Sequence, residues 1–186
     1  MPGLLTGYLH RKRNAAVQRY LRGDVLDIAC GPAIVAGWLH SSQRYVGVEM
    51  QPEWMTHLRR KFPQHTFIQR DVDTETLSLG NSQFDTVLMV AVIEHLSTPD
   101  RVIKDARNYM KPNSRLVITT PTVLGSAVQR VGAGLGLFAH EAVADHKCVY
   151  GRKSLNDLLG RCGMQVVLHA HFEPGANQLC VSTPLL

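Results

Sequence analysis

Small residues and a carboxylate follow two short apolar segments, in an order that could hold a nucleoside. The first segment, 25–29, is followed by Cys30-Gly31-Pro32-Ala33, where small side chains would let a ligand approach the backbone closely. The second segment, 45–49, ends in Glu49, whose carboxylate can accept hydrogen bonds from both hydroxyls of a ribose. Taken alone, the first feature also fits tight helix–strand packing, and the second also fits a surface glutamate.

A further pair of carboxylates follows the third apolar segment, 66–69, in the run Arg70-Asp71-Val72-Asp73. Asp71 could accept a hydrogen bond from the exocyclic amine of an adenine while the Val72 side chain packs on the ring. Asp73 could take that part instead, and either carboxylate could simply be solvated at a turn. Together with Glu49, these residues predict a nucleoside-containing ligand.

Histidines later in the chain could supply acid–base chemistry. His146, beside Asp145, is our first candidate for a general base, because histidine is the usual choice near neutral pH. A loop histidine with ordinary hydrogen bonds is the alternative interpretation. The spacing of His140, His146 and Cys148 matches no closed zinc pattern, so we expect no metal site.

The elements that must position these residues alternate between two kinds. Apolar runs predict strands at 25–29, 45–49, 66–69, 84–90 and 115–119, and helical spacing predicts helices at 14–21, 34–40, 52–61 and 99–110. This alternation implies a parallel sheet with right-handed crossovers. Two more strand-like segments, 165–171 and 178–182, lie so close together that they can only form an antiparallel hairpin.

The composition fits one globular domain. The chain has 186 residues, of which 45% are hydrophobic and 19% charged. No apolar run could span a bilayer, and the N-terminal positive charges follow the short apolar stretch, so we expect a cytoplasmic protein. The four cysteines form no CxxC pair and are expected to be free thiols. A net charge of +5 leaves nucleic-acid binding open without favouring it.

The segments in this order resemble the class I S-adenosylmethionine (SAM)-dependent methyltransferases of the small-molecule type, which include ubiquinone-pathway O-methyltransferases (methyltransferase type 11). The resemblance rests on VLDIACGPA (25–33), YVGVEM (45–50), RDVD (70–73), FDTVLMVAVIEHL (84–96), LVITTP (116–121) and YGRKSLNDLLGRCGMQVV (150–167). It implies an α/β, Rossmann-like three-layer sandwich: one SAM-binding domain over 1–186, with a mostly parallel seven-stranded sheet and a C-terminal antiparallel hairpin. The chain departs from the family pattern at Ala29 and Ala33, where glycine is usual.

The resemblance also implies the cofactor contacts. The first loop would pass under the methionine part of SAM, Glu49 would hold the ribose, and Asp71 and Val72 would bracket the adenine. Residues after the fourth strand would line the sulfonium side, and the first helix could close over the cofactor from the other side. The expected set is Tyr8, Asp27, Ala29, Cys30, Gly31, Ala33, Glu49, Met50, Asp71, Val72, Val90, Ala91 and His95.

The acceptor site is expected around 122–150, where related enzymes tend to build it. The glycine-rich segment 124–137 could form a flexible lid over an apolar acceptor, or a patch that touches a membrane or a partner. Glu94 and His95, in the segment that would line the sulfonium side, could equally cap a short helix. Residues 1–22 are expected to form an N-terminal helical segment. We therefore predict methyl transfer to a small-molecule acceptor, most readily at oxygen, with S-adenosylhomocysteine (SAH) as the other product.

Three other functions compete with this one. An RNA or protein methyltransferase is compatible with the positive charge, but 90–93 (Val-Ala-Val-Ile) replaces the Asn-Pro-Pro-Tyr-like segment of enzymes that methylate amino groups. A non-catalytic SAM-binding protein would share the motifs. A nicotinamide dehydrogenase would need the full glycine fingerprint, which 29–34 lacks. The C-terminal hairpin could support a homodimer, although nothing in its sequence requires one.

Overall fold

One twisted sheet of seven strands organises the protein in the computed structural model, which describes residues 6–134 and 146–185. The strands are β1 (Val25–Ile28), β2 (Tyr45–Glu49), β3 (Thr66–Gln69), β4 (Phe84–Val90), β5 (Met110–Pro121), β6 (Met164–Phe172) and β7 (Asn177–Pro184). Their order across the sheet is β3-β2-β1-β4-β5-β7-β6. The first five strands are parallel, while β7 runs antiparallel to both β5 and β6. This confirms the predicted parallel unit with its antiparallel C-terminal hairpin.

Helices cover both faces of the sheet. They are α1 (Thr6–Gln18), α2 (Pro52–Lys61), α3 (Pro99–Arg107), α4 (Val123–Gly134) and α5 (Arg152–Arg161), with short 3-10 helices at Ile34–Trp38 and Ile93–His95. One apolar cluster includes Val17 of α1 and Met55 of α2, and a second includes Val102 of α3 and Leu155 of α5. Each sheet face therefore packs against its own helices, which confirms the predicted Rossmann-like three-layer sandwich.

Several element boundaries differ from the prediction. The segment after β1 forms only a 3-10 helix, and α1 begins at Thr6 rather than at residue 14. Strand β5 begins at Met110, so it includes Pro112, which we expected to end the preceding helix. A register irregularity between Phe84 and Thr86 of the neighbouring strand accompanies this extension. A bulge of this kind accommodates a proline that cannot donate a ladder hydrogen bond.

The largest difference is α4, which occupies most of the segment predicted as a glycine-rich loop. Thr122 begins this helix: its hydroxyl accepts a hydrogen bond from the Gly125 N–H at 3.0 Å, and its own N–H donates to the Ala176 carbonyl at 3.0 Å. A Cβ on Gly125 would lie 1.7 Å from the Ala176 carbonyl oxygen. The glycine thus serves close packing of α4 against the β6–β7 turn, which composition alone could not reveal.

Some predictions fall on residues 135–145, including His140 and the end of the proposed lid, and these lie outside the described residues. Within the described ranges, no helix is long and apolar enough to cross a bilayer. All four cysteines are free thiols, as predicted. Strand β6 lies at one edge of the sheet, and a homodimer built on it stays a prediction.

Candidate functional site

A cleft of about 690 Å³ lies at the carboxyl ends of the parallel strands. Its walls come from the segments that directly follow β1, β2, β3 and β4, together with the chain that precedes α5. Strands β1 and β4 are neighbours at which the strand order changes direction, and ligands of open α/β sheets bind at this topological switch point. The lining residues are Ala29, Met50, Gln51, Arg70, Asp71, Val72, Asp73, Ala91, Val92, His95, Leu96, His146 and Lys147.

The loop after β1 adopts backbone conformations that favour glycine. Ala29, Gly31 and Ala33 have φ values of +54°, +50° and +49°, and Ala91, from the segment after β4, has +57°. Left-handed conformations cost an L-residue about 1–2 kcal/mol, and such strain collects at functional sites. The two alanines that depart from the family pattern therefore occupy strained positions. A Cβ on Gly31 would meet nothing within 4 Å, so the space above the loop is open to a ligand.

Glu49 joins the loops that follow β1 and β2. Its Oε2 accepts a hydrogen bond from the Gly31 N–H at 2.9 Å, and its Oε1 accepts one from the Gln51 N–H at 3.0 Å. The side chain is buried rather than exposed in the cleft. Each carboxylate oxygen can accept more than one hydrogen bond, so Glu49 can hold both loops and still receive ligand hydroxyls.

Asp27 is buried behind the same loop. The Tyr45 hydroxyl donates to Asp27 Oδ2 at 2.7 Å. Burial raises the pKa of Asp27 to about 7, although the Tyr45 hydrogen bond lowers it, and the nearby Glu49 raises it further. Burial also raises the pKa of the adjacent Cys30 thiol. Asp27 can therefore change its charge near neutral pH.

The two carboxylates after β3 have different surroundings. Asp71 lines the cleft and makes local bonds, accepting from the Asp73 N–H at 2.9 Å and the Thr74 hydroxyl at 3.0 Å. Asp73 accepts from the Ser97 N–H at 2.8 Å and from Lys147 Nζ at 2.9 Å. Burial raises the pKa of Asp73, but these hydrogen bonds outweigh it and lower the pKa to about 2. Asp73 is thus committed to holding other loops, whereas the side chain of Asp71 bonds only within its own turn.

His95 and His146 face each other at one end of the cleft, with their ring centroids 4.9 Å apart and the rings at 69°. The Lys147 N–H donates to the Glu94 carbonyl oxygen at 2.8 Å, which fixes the chain next to His146. The Glu94 side chain is 1% exposed, and within the described ranges neither carboxylate oxygen has a hydrogen-bond partner. Glu94 therefore does not cap a helix, which was one of its two predicted roles.

Other predicted site residues lie outside the cleft lining. Tyr8 is exposed on α1, where the Lys12 ammonium lies 5.4 Å from the ring centroid. Cys30 and Ala33 pack into the apolar cluster beneath the loop, and Val90 packs against the same cluster. The structure thus brings together the predicted residues Ala29, Met50, Asp71, Val72, Ala91, His95 and His146 in one cleft.

Sequence reasoning missed Arg13, which reaches from α1 toward this region. Its guanidinium is buried, and its Nε donates to the Asn177 side chain at 3.0 Å. Burial lowers the pKa of Arg13, while the charges of Glu94 and Glu173 act in the opposite direction. Arg13 precedes the buried Val17 by one helical turn, and this spacing on the apolar face of α1 was the available signal.

Comparisons with known proteins agree with this architecture. A family model described as a methyltransferase domain matches residues 5–169. An uncharacterised 37.1 kDa protein in transposon TN4556 of Streptomyces fradiae is 28% identical over 103 residues. That match covers 53% of this chain and 30% of the relative, so the chain spans less than a third of that protein.

Solved structures with the same fold cover almost the whole chain. A TehB-like SAM-dependent methyltransferase from Corynebacterium glutamicum has a TM-score of 0.67 at 14% identity, covering 96% of both chains. The magnesium protoporphyrin IX methyltransferase from Synechocystis, with bound SAH, has a TM-score of 0.70 at 17% identity, covering 95% of this chain and 84% of its own. The 1,6-didemethyltoxoflavin N1-methyltransferase from Burkholderia thailandensis, with SAH and its substrate bound, has a TM-score of 0.69 at 14% identity, covering 96% and 79%. The chain therefore belongs to the methyltransferase-domain family and has the fold of the class I SAM-dependent methyltransferases.

Proposed function

We propose that the protein transfers a methyl group from SAM to the hydroxyl oxygen of a small molecule bound beside His95 and His146. One observation carries the proposal: the strained loop after β1, the loop carboxylates and the two histidines line or border a single cleft at the switch point. Its volume of about 690 Å³ is within the usual range for small-molecule sites.

The cofactor would lie along the loops that follow β1, β2 and β3. The open space above Gly31 suits the methionine part of SAM, and Glu49, which is hydrogen-bonded to that loop, would receive the ribose hydroxyls. Asp71 would accept from the adenine amine while Val72 packs on the ring. Asp27 would not contact the cofactor itself. Because its carboxylate is buried beneath the loop that follows β1, it would support the loop that holds SAM.

Methyl transfer depends mainly on how the acceptor oxygen, the methyl carbon and the sulfur are aligned. SAM supplies a methyl group on a sulfonium, which is already electrophilic. The acceptor oxygen forms a bond to the methyl carbon as the carbon–sulfur bond breaks, and that electron pair stays on sulfur. His146 takes the hydroxyl proton as general base. The chain holds oxygen, carbon and sulfur in line, which is the main source of rate acceleration in such a displacement.

Two features favour a small hydroxyl compound as the acceptor. The segment 90–93 lacks the Asn-Pro-Pro-Tyr-like sequence of enzymes that methylate amino groups of adenine or glutamine. Helix α4 carries exposed apolar side chains, with Val123 and Leu124 each 62% exposed and Val128 51% exposed. These side chains would cover an apolar acceptor when α4 acts as a lid. The names of the structural relatives include an N1-methyltransferase, so oxygen specificity is our own inference.

Calorimetric titration with SAH tests the cofactor site. We expect micromolar binding by the wild type, and at least tenfold weaker binding by both Glu49→Gln and Asp71→Asn. Glu53→Gln and Asp157→Asn are matched controls, since both carboxylates are exposed on helices outside the cleft lining. A folded wild-type protein that binds neither SAM nor SAH would overturn the proposed function.

A further inference from the structure

Three potential metal ligands meet at the acceptor end of the cleft. Glu94, His95 and His146 each offer one ligand atom, and these atoms all lie within 4.8 Å of one another. His95 and His146 also line the cleft, whereas Glu94 is buried behind them. This set differs from the His140, His146 and Cys148 that the sequence brought into consideration, because the fold supplies two ligands from the segment after β4.

Buried carboxylates are normally paired with a charge or a hydrogen-bond donor, and the Glu94 carboxylate is an exception. It is 1% exposed, and neither of its oxygens has a partner with hydrogen-bond geometry in 6–134 or 146–185. Its own N–H and the Thr120 hydroxyl lie near enough only to favour its charged form weakly. A buried carboxylate in this condition costs several kcal/mol unless a charge or donor compensates it. A bound cation would supply the missing partner.

The Arg13 charge acts on Glu94, but the two side chains are not hydrogen-bonded to each other. The Arg13 Nε donates to Asn177, and its Nη2 has no hydrogen-bond partner among the described residues. Arg13 also interacts with the Glu173 carboxylate. Glu173 thus offsets part of the repulsion that Arg13 would exert on a second cation.

The backbone holds the two histidines opposite each other. His95 ends the 3-10 helix Ile93–His95, and the Lys147 N–H is bonded to the Glu94 carbonyl at 2.8 Å. The Lys147 ammonium is bonded to Asp73 at 2.9 Å and to the Ser97 hydroxyl at 2.6 Å. Both segments that carry the ligands are therefore fixed to each other before any ion binds, which lowers the cost of assembling a site.

We propose that Glu94, His95 and His146 bind one divalent transition-metal ion of the zinc class. Two imidazoles and one carboxylate form the ligand set of many catalytic zinc sites, which keep one position open for water or substrate. Tetrahedral zinc with bonds of roughly 2.0–2.1 Å needs ligand atoms roughly 3.4 Å apart. Side-chain rotations that bring the ligand atoms closer, by up to about 1.4 Å for atoms 4.8 Å apart, complete the site.

The role of this ion, unlike its binding, rests on the proposed function. His95 and His146 line the cleft, so an ion that they held would be within reach of an acceptor there. It would lower the pKa of a bound hydroxyl and so supply an oxygen nucleophile near neutral pH. The released proton passes to solvent. His146 is then a ligand rather than a base, and the ion replaces it in acceptor activation.

Metal titration of the chelator-treated full chain tests the site without any activity assay. We expect Zn²⁺ to bind with a stoichiometry of one by calorimetry, and Co²⁺ to give the visible absorption bands of a tetrahedral site with nitrogen and oxygen ligands. Glu94→Gln, His95→Ala and His146→Ala should each weaken binding by about 100-fold or more, beyond the loss typical of outer-shell residues. His57→Ala is the matched control, because His57 is exposed on α2 outside the cleft lining.

The outcomes separate this proposal from the proposed function. A wild-type protein that binds SAH but takes up neither metal at one equivalent overturns the metal site and leaves the methyltransferase proposal intact. Binding that survives in all three ligand variants, or that is lost in His57→Ala, also overturns it, since surface histidines then hold the ion. Metal binding without SAH binding keeps the site and removes only the role in methyl transfer.

Discussion

The backbone N–H of Lys147 donates to the carbonyl oxygen of Glu94 at 2.8 Å, which joins the segment before α5 to the segment after β4. The same lysine bonds Asp73 through its ammonium group, so one residue connects loops that follow β3 and β4. This connection places His146 against His95, so the arrangement of the two histidines depends on a few polar contacts. Several measurable consequences arise from this arrangement and from the strained loop.

Asp73→Asn removes the anionic partner of Lys147, and we expect it to lower the free energy of unfolding by about 1–3 kcal/mol at pH 7. The lowered pKa of Asp73 means that its stabilising contribution is fully present above its ordinary pKa of 3.8 and is lost as pH falls toward about 2. Urea unfolding at pH 7 measures the loss. Asp157→Asn, which changes an exposed carboxylate on α5, should leave stability within about 0.5 kcal/mol.

Asp27 should make stability depend on pH in the opposite sense. Its raised pKa means that the folded state keeps the proton between the ordinary value of 3.8 and about 7, while the unfolded chain loses it. Stability therefore falls as pH rises through this window, by up to about 1.4 kcal/mol per unit from this group. Asn at position 27 can still accept from Tyr45 but cannot ionise. Urea unfolding should be measured for the wild type and Asp27→Asn at pH 5 and pH 7.5. Relative to the wild type, we expect the free energy of unfolding of the variant to be higher at pH 7.5 than at pH 5. An equal difference at both values would contradict the assignment.

Ala29→Gly should relieve the left-handed strain of the loop. Relief of about 1–2 kcal/mol exceeds the extra unfolded-state entropy of glycine, so we expect a gain of about 0.5–1 kcal/mol in the free energy of unfolding. SAH affinity should stay the same or rise. Ala15→Gly is the contrasting variant, because Ala15 is exposed within α1. Ala15→Gly should lower the free energy of unfolding by about 1 kcal/mol. A similar loss for Ala29→Gly would show that the positive φ of Ala29 is not a source of strain.

Gly125→Ala should separate α4 from the β6–β7 turn. The new methyl group would overlap the Ala176 carbonyl oxygen, 1.7 Å away, and backbone atoms cannot move aside cheaply. We expect a loss of about 1–3 kcal/mol in thermal or urea unfolding. Gly160→Ala on α5 meets nothing within 4 Å and should instead gain about 0.5–1 kcal/mol. Equal effects of the two changes would exclude close packing as the reason for Gly125.

His146→Ala should reduce kcat by about 10²–10⁴-fold, because either its general-base role or its metal-ligand role is lost. SAH affinity should change less than about threefold, since the cofactor contacts lie on other loops. Single-turnover kinetics with an accepted hydroxyl substrate measures the chemical step, and His57→Ala provides the reference. Unchanged turnover in His146→Ala would remove this residue from the reaction.

The order of strands along the chain and the antiparallel hairpin could be predicted from the sequence alone, as could several of the residues that line the cleft. These depend on local properties: apolar runs, small residues after β1, and carboxylates at the ends of β2 and β3. The separation between Met164–Phe172 and Asn177–Pro184 allows only one pairing, so even the change of strand direction could be predicted.

Which polar side chains are in contact depends on the tertiary structure and could not be predicted. Asp71 and Asp73 are equivalent in the sequence, and it is the contacts of Asp73 with Ser97 and Lys147 that distinguish them. The glycine-rich composition of 124–137 predicts a loop, although most of this segment is helical. Gly125 is needed for close contact with Ala176, which lies in a turn more than fifty residues away, so the sequence around Gly125 does not reveal the reason for it. Likewise, His146 meets Glu94 and His95 through chain crossings between distant segments. Such contacts depend on side-chain packing across the sheet edge, which local periodicity does not encode.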